Sequence, residues 1–489
     1  MNTFMNGLID EINIGLTQNG AVKHNTTKSA VLDMFALCGA YRRRSDADCI
    51  IAFANAYEEN PILALKCLFY LRDCRGGQGE RRFFRVCFRW LANKHPEAAE
   101  RNLINISEYG RWDDLIYATV ETKVERLALA IVAKQLALDI SCKTPSLLGK
   151  WMPSENASSK ETKRVANIVR QALGMTHKEY RQTLSELRTK INIVEKLMSQ
   201  NRWDEIEFDK IPSKAGLVYK NAFARRDLIA KKYADFAKDE TKTVNASTLY
   251  PYDVAHKAFG AYSQKADSTD RLMIQKYWDA LPNYYGENEE NGLAIVDTSG
   301  SMSGQPLEAA VSLGAYIAEK AHGPFAGHFI TFSSKPELIK FEGVDITDKF
   351  MRARRASWQM NTDLKAVFDM LLRVAKQNDT KVEDMPERLY IFSDMEFDGC
   401  LSLGYNDTEG KVNTLLENIA KEWAAVGYEL PKVVFWNLDA RTQNIPALGG
   451  RFSYVSGLSP VMIQTILSGK DGYDLMLEKL MSERYAVIQ

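Results

Sequence analysis

The run Leu293-Ala294-Ile295-Val296 leads into Asp297-Thr298-Ser299-Gly300-Ser301, a DxSxS pattern. If the apolar run is a buried strand and a helix opens near Pro306, one carboxylate and two hydroxyls stand at alternate positions of a strand-to-helix loop. Oxygen donors of that kind suit a single hard divalent cation that keeps some of its waters. Gly300 and Gly304 would let the loop turn tightly. Two further segments fit the same chemistry. Asn361-Thr362-Asp363 opens a helix beginning LKAVFDMLL, and Ser393-Asp394-Met395-Glu396 closes the run RLYIF. A competing reading is a helix-capping or phosphate-binding turn without metal, because Asp, Ser and Thr cap helices unaided. Asp363, Glu396 and Asp398 read as exposed loop acids rather than as groups behind the ligands.

A second kind of chemistry is suggested by basic residues beside glycines or aromatics. In Leu71-Arg72-Asp73-Cys74-Arg75-Gly76-Gly77-Gln78-Gly79-Glu80-Arg81-Arg82 a glycine turn is ringed by arginines, so free amides and Arg75, Arg81 and Arg82 would clamp a phosphate. The alternative is a helix-hairpin turn whose charges pair locally. No GK[ST] follows, which excludes a Walker motif. Further on, Lys150 and Trp151 precede Ser and Asn donors and a helix carrying Lys160, Lys163, Arg164 and Arg170, the mixture of stacking faces and charge that holds single-stranded RNA. The candidate RNA contacts are Arg72, Arg75, Arg81, Arg82, Lys150, Trp151, Lys160, Lys163 and Arg164. A solvated helix face with Trp151 as a core anchor is the competing reading.

Elements must hold these groups in place. From Ser29 to about Tyr285 apolar residues recur at helical spacing, and breaks fall at Asn60-Pro61, Gly76-Gly77, His95-Pro96, Tyr109-Gly110 and Thr144-Pro145. Short helices with short links make stacked antiparallel hairpins, HEAT-like in kind although no strict repeat period is present. The polar, turn-rich stretch from Pro282 to Asn291 precedes a change of period. Beyond it the runs GLAIVD, GHFITF, RLYIFSD and KVVFWNL alternate with helical patterns over about 306–321, 364–376 and 412–426. Strands alternating with helices mean a mainly parallel, Rossmann-like sheet covered on both faces, with ligands at the carboxyl ends of its strands. The expected fold class is α + α/β, with a helical-repeat domain at 1–285 and an α/β domain at 291–489.

The totals constrain the function classes. With 45% hydrophobic and 26% charged residues, 489 residues can bury sizeable cores. Net charge is zero overall, but Lys and Arg number 43 against 37 acids up to Glu290 and 20 against 26 beyond it, so a mildly basic part precedes a mildly acidic one. The seven cysteines form no CxxC pair and read as reduced, buried thiols. The first residues carry acids where a signal peptide carries bases, and no apolar stretch approaches about 18 residues, so a cytoplasmic protein without membrane contact is expected. The six histidines lie in no HExxH spacing and beside no GxSxG, so no catalytic residue is nominated.

The order DxSxS, then Thr362, then Asp394 after a later strand resembles the metal-ion-dependent adhesion site (MIDAS) of von Willebrand factor A (vWA) domains, over essentially all of 291–489. That resemblance implies hydroxyl oxygens from Ser299, Ser301 and Thr362, with Asp297 and Asp394 acting directly or through water. It also implies a magnesium ion, replaceable by manganese, with a position open for a carboxylate of a protein partner. The runs RDxRGGxGER, KWxPSENASSKxTKR, KEYRxxLSxLR and DEIEFDKIPSKA resemble an uncharacterised vWA-containing family of plants, fungi, bacteria and phages. In layout that family is distantly similar to the Ro autoantigen and TROVE proteins, in which a ring of helical repeats closed by a vWA domain binds RNA. The resemblance implies a non-catalytic Ro-like protein that binds RNA through its helical part and a partner through the metal site. A metal-dependent protein-assembly scaffold without RNA is the second reading, and a metal-dependent hydrolase the third.

Overall fold

The computed structural model describes residues 3–263, 268–332, 335–355, 363–398 and 414–489. Asn361, Thr362 and Cys400 lie outside these residues. Three of the breaks read from the sequence, at Asn60-Pro61, His95-Pro96 and Tyr109-Gly110, fall at helix ends. Asn60 closes the helix Asp46–Glu59 and accepts the Leu63 amide at 3.0 Å to open Pro61–Arg72, with proline at the first turn. Ser45 and Asp48 form a reciprocal capping box, as do Thr176 and Glu179 before His177–Lys190. His95 ends Arg81–Lys94 ahead of Pro96–Asn102, and Gly110 closes Ile106–Tyr109. Helices continue to Ser268–Asp279. Ahead of them stands a hairpin that the sequence reading lacks, β1 (Ile14–Leu16) and β2 (Val22–His24), paired antiparallel.

The later part is a six-stranded sheet formed by β3 (Gly292–Asp297), β4 (His328–Phe332), β5 (Glu337–Lys340), β6 (Arg388–Ser393), β7 (Lys432–Asn437) and β8 (Phe452–Ser456). Its spatial order is β5-β4-β3-β6-β7-β8, with every pair parallel except the edge pair β4 and β5. The expected fold class is therefore found in its coarse form, helices first and a mostly parallel sheet second, with β5 and β8 added to the four strands read from sequence. Strands β3 and β6 are buried at every position, as a sheet covered on both faces requires. The helix Gln305–Lys320 lies so close to β3 that a Cβ on Gly314 would stand 2.4 Å from Val296 Cγ2.

The helices and the sheet share one continuous apolar core. Ser456 at the end of β8 accepts the Gly39 amide at 2.9 Å and donates to the Phe35 carbonyl at 2.9 Å. At the opposite extreme of the chain, Arg484 and Tyr485 reach back to Asp73 in the glycine turn. Among the described residues, no helix is long and apolar enough to cross a membrane.

Candidate metal centre at the strand ends

In an open parallel sheet a crevice forms where the strand order reverses, because the connections on either side leave in opposite directions. Here that point lies between the neighbours β3 and β6. The first ends on Asp297 and the second leads into Asp394, and both carboxylates are buried. Asp297 Oδ1 accepts the Ser299 amide at 2.9 Å, a local turn that the DxS spacing dictates. Its Oδ2 accepts the Ser393 hydroxyl at 2.5 Å, across the two strands. Ser299 Oγ and Ser301 Oγ are 3.0 Å apart. The Ser301 side chain is hydrogen-bonded in turn to Asp394. Asp297, Ser299, Ser301 and Asp394 thus form one connected polar cluster, while Thr362 lies outside the described residues.

The loop geometry explains part of the glycine content. Gly304, which starts the helix Gln305–Lys320, has φ of 87° with open space where a Cβ would be, so glycine serves its backbone angle alone. Gly300 lies inside a short 3-10 turn and has no such angle, contrary to expectation. Met395, directly after Asp394, takes the left-handed conformation at φ of 65°. Its amide donates to Ser393 Oγ at 2.9 Å and its carbonyl accepts Asn444 Nδ2 at 3.2 Å. A non-glycine residue held there is uncommon, and such conformations cluster at functional sites.

Burial raises the pKa of both Asp297 and Asp394, and the Asp394 charge raises that of Asp297 further. Arg441 offsets part of this for Asp394, while its guanidinium donates to Asp439 Oδ2 at 2.9 Å and to the Ser301 carbonyl. Asp394 Oδ1 accepts the Glu396 amide at 3.2 Å, but its Oδ2 is buried with no donor among the described residues. Thr298 Oγ1, Thr331 Oγ1 and Asn437 Nδ2, all near the carboxyl ends of strands, are also buried without a partner among the described residues. Buried polar atoms are rarely left so. Among the described residues no three His, Cys, Asp or Glu side chains gather as they would around a metal ion. The donor set is two carboxylates and two hydroxyls, all oxygen, which fits a hard divalent cation.

The acids around this cluster differ from their sequence reading. Glu396 is 3% exposed rather than a solvated loop acid, and its carboxylate accepts the Gln18 amide at 2.8 Å and the Thr442 hydroxyl at 2.5 Å. Its carbonyl takes Asn19 Nδ2 at 2.7 Å, and the next carbonyl, of Phe397, takes Thr17 Oγ1 at 2.7 Å. The tip of the β1–β2 hairpin is therefore seated on the loop that carries Asp394. Asp363 caps the helix Leu364–Gln377 by accepting the Ala366 amide at 2.9 Å.

The basic candidates are dispersed in role. Arg72 is buried and bonds Asp114 through Nε at 2.8 Å, which removes it from any surface contact. In the glycine turn three amides are used internally. Gly76 donates to the Asp73 side chain, Gly79 to the Asp73 carbonyl at 3.1 Å, and Gln78 to the Tyr70 carbonyl at 3.2 Å. A Cβ on Gly77 would stand 1.9 Å from the Tyr70 carbonyl oxygen, so close packing accounts for that glycine. Arg75 donates to the Glu108 carbonyl at 2.5 Å, and Arg82 pairs with Asp46. Arg81, Lys160 and Lys163 are exposed. Arg164 is exposed too but paired with Glu161 at 2.7 Å and with Glu121. Lys150 and Trp151 are half-buried, with Arg111 stacked 3.9 Å from the Trp151 ring centre. Of the thiols, Cys142 is exposed and Cys38, Cys49, Cys67 and Cys87 are buried.

Fold and cluster together define a class: a helical protein joined to an open α/β sheet whose switch point carries paired carboxylates and serine hydroxyls. Residues 17–120 and 146–281 match a domain of unknown function (DUF2828), and residues 291–485 match a second (DUF7788). No vWA or Ro/TROVE family matches. An uncharacterized protein of Acanthamoeba polyphaga mimivirus is 31% identical over 505 residues, covering 94% of this chain and 85% of the relative. The chain belongs to the family that this relative represents.

Proposed function

We propose that the chain is a non-catalytic binding protein with two parts, a helical part over 1–285 that binds RNA and a vWA-like part over 291–489 that binds a partner through magnesium. The supporting observation is the cluster at the switch point, where Asp297 and Asp394 are buried side by side and Ser299 and Ser301 connect them. Two like charges in low dielectric are costly, and a cation between oxygen donors offsets that cost. Asp297, Ser299, Ser301 and Asp394, with Thr362, would hold magnesium or manganese. The bound ion would supply a position that a partner's carboxylate completes, and no bond need be broken.

Calorimetric titration with manganese tests the metal half. Saturable binding in the wild-type chain, lost in an Asp297→Ala, Ser299→Ala double variant that keeps its far-UV spectrum, is the expected result. A wild-type chain that takes up no manganese would sink it. The RNA half predicts affinity that falls steeply with salt as phosphate contacts are screened. One observation favours the second reading, a metal-dependent scaffold without RNA: Arg72, Arg82 and Arg164 already have acidic partners within the chain. On that reading partner capture disappears with EDTA and no RNA is bound in low salt.

A further inference from the structure

The loop after β7, from Leu438 to Ile445, touches both halves of the candidate metal centre. Its Arg441 donates to the Ser301 carbonyl in the DxSxS loop. Its Thr442 hydroxyl donates to Glu396 at 2.5 Å and Asn444 Nδ2 to the Met395 carbonyl at 3.2 Å, both on the loop that carries Asp394. The same loop is gripped from its other side by the first part of the chain. The Ala440 amide donates to the Ala40 carbonyl at 3.2 Å, and His24 and Ile445 exchange backbone hydrogen bonds at 2.9 and 3.1 Å. Arg44 donates to the Arg441 carbonyl at 2.7 Å, Arg42 to the Leu438 carbonyl at 3.4 Å and Lys23 to the Gln443 carbonyl.

Charge at this junction is shared unevenly. Asp439 is buried, and its Oδ2 accepts Arg441 Nε at 2.9 Å and pairs with Arg43 at 3.1 Å, so one carboxylate serves two guanidinia. The surplus positive charge lies over the serine loop and is felt at Asp394, where burial raises the pKa and Arg441 works against that rise. An arginine stays charged throughout the pH range in which proteins fold, so this charge is a fixed part of the site. Asp394 is therefore already served by a guanidinium of its own chain, and a divalent cation among the same oxygens would meet like charge.

We propose that Arg441 is a resident counter-ion of this centre, which opposes entry of the divalent cation and links occupancy of the site to the grip of the helical part on the loop from Leu438 to Ile445. The proposal rests on the metal reading above. The carbonyl and the hydroxyl of Ser301 belong to one residue, so a guanidinium held by the first and a cation held by the second are near neighbours. Their repulsion is relieved when Arg441 withdraws from Ser301, and its main chain is what Arg44 and, one residue back, Ala40 hold. Cation binding thus loosens the loop, and a tightly gripped loop disfavours the cation. Coupling between two sites is reciprocal in free energy, so a partner that draws the helical part off the loop would raise the affinity for metal by the same factor.

The test titrates the full chain calorimetrically with manganese, in mildly alkaline buffer so that protons on the two carboxylates stay out of the comparison. Arg441→Gln should bind manganese about 10-fold more tightly than the wild type, the order expected when one like charge is removed several ångströms from a divalent ion. Arg441→Lys keeps the charge and should stay near the wild-type affinity. Loss of a merely structural prop would weaken binding, so the sign separates the two roles. Hydrogen exchange read by mass spectrometry should be faster from Leu438 to Ile445 in saturating manganese than without it. Weaker or unchanged binding by Arg441→Gln, beside a wild type that binds, overturns the proposal and leaves the metal reading standing. Tighter binding with exchange unaltered overturns the link to the helical part. No uptake by either chain overturns the metal reading and this proposal with it.

Discussion

Arg72 and Asp114 show how a charge that looks available for binding can belong to the core. Both side chains are almost wholly buried, and Arg85 joins Asp114 through Nε at 2.7 Å. Burial of charge is tolerated only with such pairing, and removing one partner leaves the other uncompensated. Asp114→Ala should therefore lower stability by about 3–5 kcal/mol, read from the shift of the denaturant midpoint. An unchanged midpoint would mean that Arg72 finds another acceptor. The partner lies 42 residues away in sequence, which is why composition around the glycine turn suggested phosphate instead. Glu396 was misread for the same reason, since its partners Gln18 and Thr442 are distant along the chain. Asp297, Ser299 and Ser301 could be read correctly as neighbours because the turn that joins them is local.

Helices and strands divide along the same line. Signals such as Asn60-Pro61 and His95-Pro96 act within four residues, so those helix ends could be placed from sequence. The three-residue strands β1 and β2 are too short for any period to show, and the four-residue edge strand β5, ELIK, sets its two apolar residues side by side and so lacks the alternation that marks a strand. Between elements, the approach of Gln305–Lys320 to β3 depends on a missing side chain. Gly314→Ala would drive a methyl into Val296 and should cost about 1–3 kcal/mol by overpacking, visible as a lower melting temperature. Restoration of the melting temperature by adding Val296→Ala would confirm the contact as the cause.

Over the full length of the chain, Asp73 fastens the helical part to the turn Glu483–Tyr485 at the far end. Burial pushes its carboxyl up, but the Arg484 guanidinium and the amides of Arg75 and Gly76 overcome this and hold it below the ordinary carboxylate value. A depressed folded pKa contributes stability that is complete above the unfolded value of about 3.9 and is lost as pH falls through the folded value. Thermal melts between pH 3 and 6 should show the wild-type chain losing more stability on acidification than Asp73→Asn, which is already weaker at pH 6. Equal pH slopes would assign the acid sensitivity elsewhere.

The hairpin tip on the Asp394 loop has a consequence for synthesis. Thr17 and Gln18 meet their partners 380 and 378 residues further along the chain. At roughly 5–20 residues per second of translation, the earliest residues wait on the order of 20–80 s before those partners exist. The hairpin strands are too short to stand alone in water, so this segment must leave the ribosome unfolded. It folds only once the strand that carries the second carboxylate has been made. Completion of the candidate metal centre and ordering of the first residues are then one late event.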